Sequence, residues 1–320
     1  MAKNIIIDCD TGLDDAVALL LALRSPALNV IGITCVNGNV SLDKVINNTL
    51  RVVDHSGKNV PVYAGAVSAL IPEKSANAAH VHGSDGLGGI PFPASTRKIE
   101  NEHAADFIIR VTMEARQPLE WITIAPLTNI ALAIQKEPRI IGKVHKLTMM
   151  AGGLDSGNSA PMSEFNVFAD PEAAKIVFDS AIPKTMVPLD PLSNGGYLNQ
   201  KDVAQVQANS NKPWCDMAGK IFSREAEIRN ELGRKQFQAD DFVSPPDLLA
   251  VAVAIEPNIA NMQEYPVFIE TKGEYTRGMT VVDRRRYSNA QPFPIMGKTK
   301  VVLSVDQKKY ASLVLDTWLK

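Results

Sequence analysis

Short apolar runs rich in Ile, Val and Thr alternate with stretches of helical spacing from the start of the chain to Pro188. Asn4–Cys9 reads as a strand and Leu13 to about Arg24 as a helix, and Val30–Val36 with Leu42 to about His55 repeats the unit. The same pattern predicts strands at Pro61–Ala64, Glu120–Ile124, Lys146–Ala151 and Lys184–Val187, and helices at Asn101–Ala115, Leu127–Gln135 and Pro171–Ser180. Strand–helix–strand units of this length join parallel neighbours.

Beyond Pro188 helical patterns take over, with a polar-faced stretch from Lys212 to Arg234 and a shorter one from Asp247 to Ile255. Strand-like Val267–Thr271, Met279–Val282 and Val301–Val305 follow, then a last helix near Gln307–Leu319. No Gly/Ser linker, low-complexity stretch or internal repeat interrupts the chain, so residues 1–320 are expected to form a single domain. The expected class is α/β, with an open, mostly parallel, Rossmann-like sheet flanked by helices and an elaborated helical C-terminal part. The Ala79–Pro93 and Gly152–Phe165 connections are longer than usual, and long loops in compact domains are often functional.

Composition changes this picture only by exclusion. A hydrophobic fraction of 45% over 320 residues is ordinary for a globular chain with a sizeable core. The formal net charge of -2 gives no broad basic field, and Arg284, Arg285 and Arg286 form too short a run to make one, so nucleic acid is not an expected partner. The opening Met-Ala-Lys-Asn lacks a signal-peptide pattern, and no apolar stretch has membrane-spanning length. Cys9, Cys35 and Cys215 are odd in number and without C-x-x-C spacing, which argues against a disulfide framework or a thiolate zinc site. A cytoplasmic setting is the simplest expectation.

The chemistry begins where the first strand ends. In Ile5-Ile6-Ile7-Asp8-Cys9-Asp10-Thr11-Gly12-Leu13-Asp14-Asp15, four carboxylates fall at the carboxyl end of a buried strand, where open parallel sheets bind ligands. Their mutual repulsion calls for a cation, and oxygen ligands without nearby His or Cys select Ca²⁺ or Mg²⁺. The plainer alternative is that Asp14 caps the helix and the rest are solvated turn residues. An EF-hand is disfavoured, since loop position twelve counted from Asp8 is Leu19. A second enzyme class also fits this segment. Asp8-Cys9-Asp10-Thr11 looks like the D-x-D-x-T start of haloacid-dehalogenase-type phosphatases, with Asp8 as phosphoryl acceptor.

Asp8, Asp10, Gly12, Asp14, Asp15 and Ala16 match a D-x-D-x-G-x-D-D-A opening, and four later segments follow it in order: Val36–Val40, Ile122–Asn129, Gly157–Pro171 and Phe242–Ala250. Together they make the chain resemble the inosine-uridine-preferring nucleoside hydrolase family over nearly its whole length. The resemblance implies hydrolysis of ribonucleosides to ribose and free base, and a place in nucleoside catabolism or salvage. Asp10, Asp15, Asp247 and the Ile124 carbonyl would ligate Ca²⁺, and Asp10 would serve as general base on the attacking water. Asp14 would hydrogen-bond ribose, Asn39 the water or sugar, and Asn158, Glu164 and Asn166 the 5′, 3′ and 2′ side of the sugar. Glu164 and Asn166, two apart, would share one side of an extended segment. His82, in a Gly-rich loop, would lie near the base or a mobile rim. A homo-oligomer, dimer or tetramer, is also implied.

One position departs from the family pattern. In Ser244-Pro245-Pro246-Asp247 the residue before the aspartate is Pro246, where inosine- and pyrimidine-type members carry a histidine that protonates the leaving base. Proline is comfortable at a helix start but has no proton to give. Two expectations follow: another group, such as His82 or a residue of Lys212–Arg234 or Tyr275–Arg277, activates the base, or the leaving group needs little protonation. A protein that binds nucleosides without hydrolysing them is the remaining alternative.

Overall fold

The computed structural model describes residues 2–72, 76–231, 242–285 and 298–320. Ile5 and Ile7 of β1 (Lys3–Cys9) pack into the hydrophobic cluster on one face of the sheet and Ile6 into the cluster on the other, which is why three consecutive apolar residues stand at this point. The chain continues through α1 (Leu13–Arg24), β2 (Leu28–Cys35), α2 (Leu42–Ser56), β3 (Val62–Ala64), α3 (Ala79–His82), α4 (Ala104–Glu114), β4 (Leu119–Thr123), α5 (Thr128–Lys136) and β5 (Val144–Met150). Then come α6 (Phe165–Ala169), α7 (Pro171–Asp179), β6 (Lys184–Val187), β7 (Leu198–Asn199), α8 (Gln200–Gln207) and α9 (Pro213–Glu231). It closes with β8 (Phe242–Val243), α10 (Pro246–Ile255), β9 (Ala260–Ile269), β10 (Thr280–Val282), β11 (Lys298–Val305) and α11 (Gln307–Leu319).

The main sheet has the order β10-β9-β11-β6-β5-β4-β1-β2-β3. All neighbours from β11 to β3 run parallel, and only β9 and β10 add antiparallel partners at one edge. From β1 the chain first builds outward to β2 and β3, then returns to the other side of β1 to lay down β4, β5 and β6. That reversal opens a crevice at the carboxyl ends of β1 and β4, where Asp8 stands level with Thr34 and Thr123.

Helices cover both faces. Leu19 of α1, Val52 of α2, Ile221 of α9, Leu248 of α10 and Trp318 of α11 share one core with Ile5 and Ile7. Phe107 of α4, Ile130 of α5 and Phe178 of α7 share the other with Ile6 and Trp121. Helix α1 is buried almost all round because α9 and α10 pack over it, so its sequence is apolar on every side from Ala16 to Leu23.

Two local expectations change, and one helix joins them that the apolar pattern did not mark. β9 begins at Ala260 rather than Val267, because pairing with β11 carries polar Asn261, Gln263 and Glu264 that show no apolar alternation. The polar helix α8 is set by an Asn199–Asp202 capping box rather than by an apolar stripe. Glu164 and Asn166 do not share an extended segment. Glu164 is the N-cap of α6 and Asn166 lies in its first turn, since the Glu164 carboxylate accepts the otherwise unpaired N–H groups of Asn166 and Val167. The end of the expected Lys212–Arg234 helix, and Arg286, lie outside the described residues.

Candidate active site

β1 ends with Asp8 pointing into the protein and the chain turning through Asp10 into α1. The two outer carboxylates of that turn are held by backbone donors. Asp15 accepts from Asp10 N at 3.0 Å and from Gly12 N at 2.9 Å, while Asp10 Oδ2 accepts from Asn39 N at 2.7 Å. Asn39 reaches Asp15 as well, donating Nδ2 to Oδ2 at 3.0 Å, so this single residue from the β2–α2 connection clamps both carboxylates. The clamp demands close backbone approach. A Cβ on Gly38 would lie 2.0 Å from Asp10 Oδ2, and one on Gly12 would lie 2.6 Å from His82 Nδ1.

Asp247, in the first turn of α10, completes the group: Asp14, Asp15 and Asp247 bring one carboxylate oxygen each within 4.8 Å of one another. Asp10 stands behind them, fully buried, and its Oδ1 has no hydrogen-bond partner among the described residues. Burial pushes Asp15 up to about 7, with the Asp14 charge adding to it. Burial also pushes Asp10 and Asp247 well above the ordinary carboxylate range, helped by Asp15 for the first and by Asp14, Asp15 and Asp10 for the second. An orphaned buried oxygen among mutually repelling carboxylates fits a hard cation, and the donor set is all oxygen. The acidic group can therefore hold a metal ion.

The group floors a cavity of about 760 Å³. Asp14, Asn39, His82, Ile124, Asn158, Glu164, Asn166 and Asp247, all expected site residues, line it. Asp10 and Asp15 lie beneath its surface. Glu164 accepts from Asn166 N at 2.7 Å, Gly152 N at 2.8 Å and Val167 N at 3.3 Å, and burial raises its pKa to about 7 against those three donors. Asn166 donates Nδ2 to Met150 O at 3.1 Å, tying the first turn of α6 to the end of β5. Asn158 accepts from Phe165 N at 2.9 Å. Asp170, with Pro171 behind it, caps α7 as its spacing suggests, accepting from Ala173 N at 3.0 Å.

His82 Nδ1 accepts from Leu13 N at 3.2 Å and lies 3.7 Å from Asp14 Oδ1. Accepting at Nδ1 leaves the ring proton on Nε2. Pro246 lines the cavity as the first residue of α10. Of the other segments considered for leaving-group activation, α9 contributes Glu225 and Ile228 to the cavity wall. Arg277 instead forms a two-pronged pair with Glu172, 2.7 Å for each contact, and does not line the cavity.

Asp8 is not placed as a phosphoryl acceptor. It is buried, Oδ1 accepts from Thr34 Oγ1 at 2.5 Å and Asn129 Nδ2 at 2.8 Å, and burial holds its pKa at about 7. Asn129 closes the Ile122–Asn129 segment without an expected role there, and Thr34 and Asp190, whose carboxylate accepts from Leu154 N and Asp155 N, carry no motif of their own.

A crevice at the reversal point of a parallel sheet, floored with carboxylates that suit a hard cation, defines an α/β enzyme acting on a small molecule. The sequence pattern described as inosine-uridine preferring nucleoside hydrolase matches residues 5–312, and the chain belongs to that family, whose members cleave N-glycosyl bonds by hydrolysis. The inosine-uridine preferring nucleoside hydrolase of Leishmania major is 38% identical over 327 residues, covering 99% of this chain and 97% of that protein. The pyrimidine-specific ribonucleoside hydrolase RihB of Escherichia coli O1:K1 / APEC is 34% identical over 98% of this chain and 96% of its own. A purine-preferring ribonucleoside hydrolase from Gardnerella vaginalis superposes with a TM-score of 0.87 at 30% identity, covering 99% of this chain and 100% of that one. The family is the one the aspartate opening implied. Among the described residues no helix is long and apolar enough to cross a membrane.

Proposed function

We propose that this chain hydrolyses the N-glycosidic bond of ribonucleosides with the help of Ca²⁺, releasing ribose and a free base. The observation that carries this reading is the convergence of Asp14, Asp15 and Asp247 at one cavity floor, with Asp10 buried close enough for its charge to act on Asp247 and one Asp10 oxygen left without a partner among the described residues. Asp10, Asp15, Asp247 and the Ile124 carbonyl would hold the Ca²⁺, which when bound would supply positive charge that eases deprotonation of a water and attracts the ribose diol.

The protein's own groups do the rest. Asp10 takes the proton of the attacking water through Oδ1, the oxygen that would also face the cation, because Oδ2 is committed to Asn39. Asp14 and the Glu164 carboxylate, with the Asn158 and Asn166 amides, bind the sugar hydroxyls and set C1′ over that water. The surrounding carboxylates favour the positive charge that grows on the sugar as the bond breaks. A single direct attack inverts the anomeric carbon. Asn39 orients Asp10 and Asp15, a role its two hydrogen bonds support more than direct sugar contact.

The base half of the site is read differently. Pro246 carries no proton, and His82 uses Nδ1 to accept from Leu13, so the reading assigns no imidazolium acid at the leaving group. The test is a panel of inosine, uridine and p-nitrophenyl riboside, assayed for reducing sugar with the wild-type chain and the Asp10→Ala variant. Ribose release by the wild type, lost by a factor of about 10³ in the variant, is expected. Near-normal rates in Asp10→Ala would refute the base assignment, and ligand-induced thermal stabilisation without ribose release would make the chain a binder.

A further inference from the structure

The cavity is longer than the part the carboxylates occupy. Strands β1, β4, β5, β6 and β11 lie side by side, and the carboxylates with Glu164 and Asn166 stand over the first three. With neighbouring strands about 4.8 Å apart, the floor that β6 and β11 add carries the cavity roughly 10 Å beyond β5. Leu189 and Leu192, after β6, and Leu303 of β11 line this far lobe from below, and Leu154 lines it from the connection that follows β5. Both walls are fixed. Asp190 accepts from Leu154 N at 2.7 Å and Asp155 N at 3.1 Å, and Val305 N donates to Asn194 O at 2.9 Å.

We infer that this lobe is a subsite for an uncharged, apolar substituent on the 5′ oxygen of the nucleoside, so that 5′-O-alkyl ribonucleosides are substrates alongside unmodified ones. The inference rests on the ribohydrolase reading, in which Asn158 marks the 5′ side of the sugar and Pro246 the base side. Three features carry it. Beside the polar Asp190, Ser193 and Asn194, the four leucines give the lobe an apolar stretch that a sugar hydroxyl does not need. Asn158 Oδ1 already accepts from Phe165 N at 2.9 Å and Ser159 Oγ at 3.3 Å, so the Asn158 Nδ2 donor is what remains for the 5′ oxygen. A donor is satisfied by an ether as well as by a hydroxyl. The charge of the lobe points away from a phosphate: Arg284 Nη2 is engaged by Asp155 Oδ1 at 2.9 Å, and Asp190 adds a further carboxylate.

The experiment compares kcat/KM for inosine, 5′-O-butylinosine and inosine 5′-monophosphate on the wild-type enzyme, then on Leu303→Trp. The butyl ether is expected within about threefold of inosine, and the monophosphate lower by a factor of about 10². Leu303→Trp, which fills the lobe from a partly exposed strand position, is expected to lower the butyl ether about tenfold and to leave inosine within about twofold. Hydrolysis of inosine without hydrolysis of the butyl ether would overturn the subsite while leaving the ribohydrolase reading intact. So would preference for the monophosphate, or an equal loss on both neutral substrates in Leu303→Trp. No ribose release from any of the three, nor from uridine or p-nitrophenyl riboside, would instead overturn the ribohydrolase reading and the subsite with it, and if only uridine is cleaved the same comparison is made on uridine and 5′-O-butyluridine. The wild-type comparison alone decides the matter if the variant does not fold.

Discussion

Removing divalent cation from the protein and raising the pH should destabilise it, and adding Ca²⁺ should reverse the loss most strongly at high pH. The cause is the raised pKa of the buried carboxylates. Asp15 moves from 3.8 in the unfolded chain to about 7 in the folded one, a shift worth about 4 kcal/mol for a fully buried group. The sign follows from proton binding. Below pH 4 both states hold the proton; between pH 4 and 7 the unfolded chain releases it while the folded one keeps it, so stability falls through that window and levels off above it. For 320 residues a loss of about 4 kcal/mol corresponds to a Tm lower by about 6 °C, and Asp10, Asp247 and Glu164 shift in the same direction. Ca²⁺ must displace those protons below pH 7. Its affinity should weaken about tenfold per pH unit for each proton displaced, or about 100-fold for a single proton between pH 7 and pH 5. Scanning calorimetry with chelator and with Ca²⁺ at pH 5 and pH 8 reads both effects, with the Ca²⁺-induced gain in Tm larger at pH 8 by about 4 °C. A metal-free protein that gains stability between pH 5 and pH 7.5, or an equal Ca²⁺ gain at both pH values, would contradict this account of the acidic floor.

Two substitutions test other parts of the site. Gly38→Ala places a Cβ 2.0 Å from Asp10 Oδ2, so kcat should fall about 10²-fold and stability by about 2 kcal/mol, whereas Gly142→Ala, with nothing within 4 Å, should change neither. Steady-state rates and urea midpoints give the answer, and an active Gly38→Ala would mean that the Asp10–Asn39 clamp is dispensable. Pro246→His should raise kcat/KM for inosine by about 10² while moving p-nitrophenyl riboside, whose leaving group needs no proton, by less than about twofold. Equal changes on both substrates would show that the position acts on sugar binding and not on the leaving base.

How much of this was legible in the sequence depended on distance along the chain. The strand–helix alternation and the run Asp8–Asp15 are local, so the parallel sheet and the acidic strand end could be read from neighbouring residues. Asp247 joins that cluster only because α10 packs beside α1, so it could be assigned from the family resemblance of Phe242–Ala250 and not from any residue near the aspartate opening. The Asp8–Asn129 hydrogen bond spans 121 positions, and both residue types are common at strand ends for other reasons. Glu164 and Asn166 were recognisable as a pair, yet their geometry was not. A two-residue spacing suits a strand, whereas three converging N–H groups made Glu164 a helix cap.

The two halves of the site are also built from different kinds of structure, and this bears on why relatives of one fold carry names with different bases. The sugar half stands on the ends of β1, β2, β4 and β5, which are registered against one another and buried on both faces, so a shift in one carboxylate disturbs the sheet beneath it. The half proposed to meet the leaving group is walled by Glu225 and Ile228 of α9 and by Ser244, Pro245 and Pro246 before Asp247, none of them in the main sheet. Such positions can change without moving the floor. The named preferences of the relatives, inosine-uridine, pyrimidine and purine, fall on the half that is free to vary. Pro246 keeps the helix start that positions Asp247, so in the proposed reading a change at this position would alter what meets the base and leave the ribose chemistry standing.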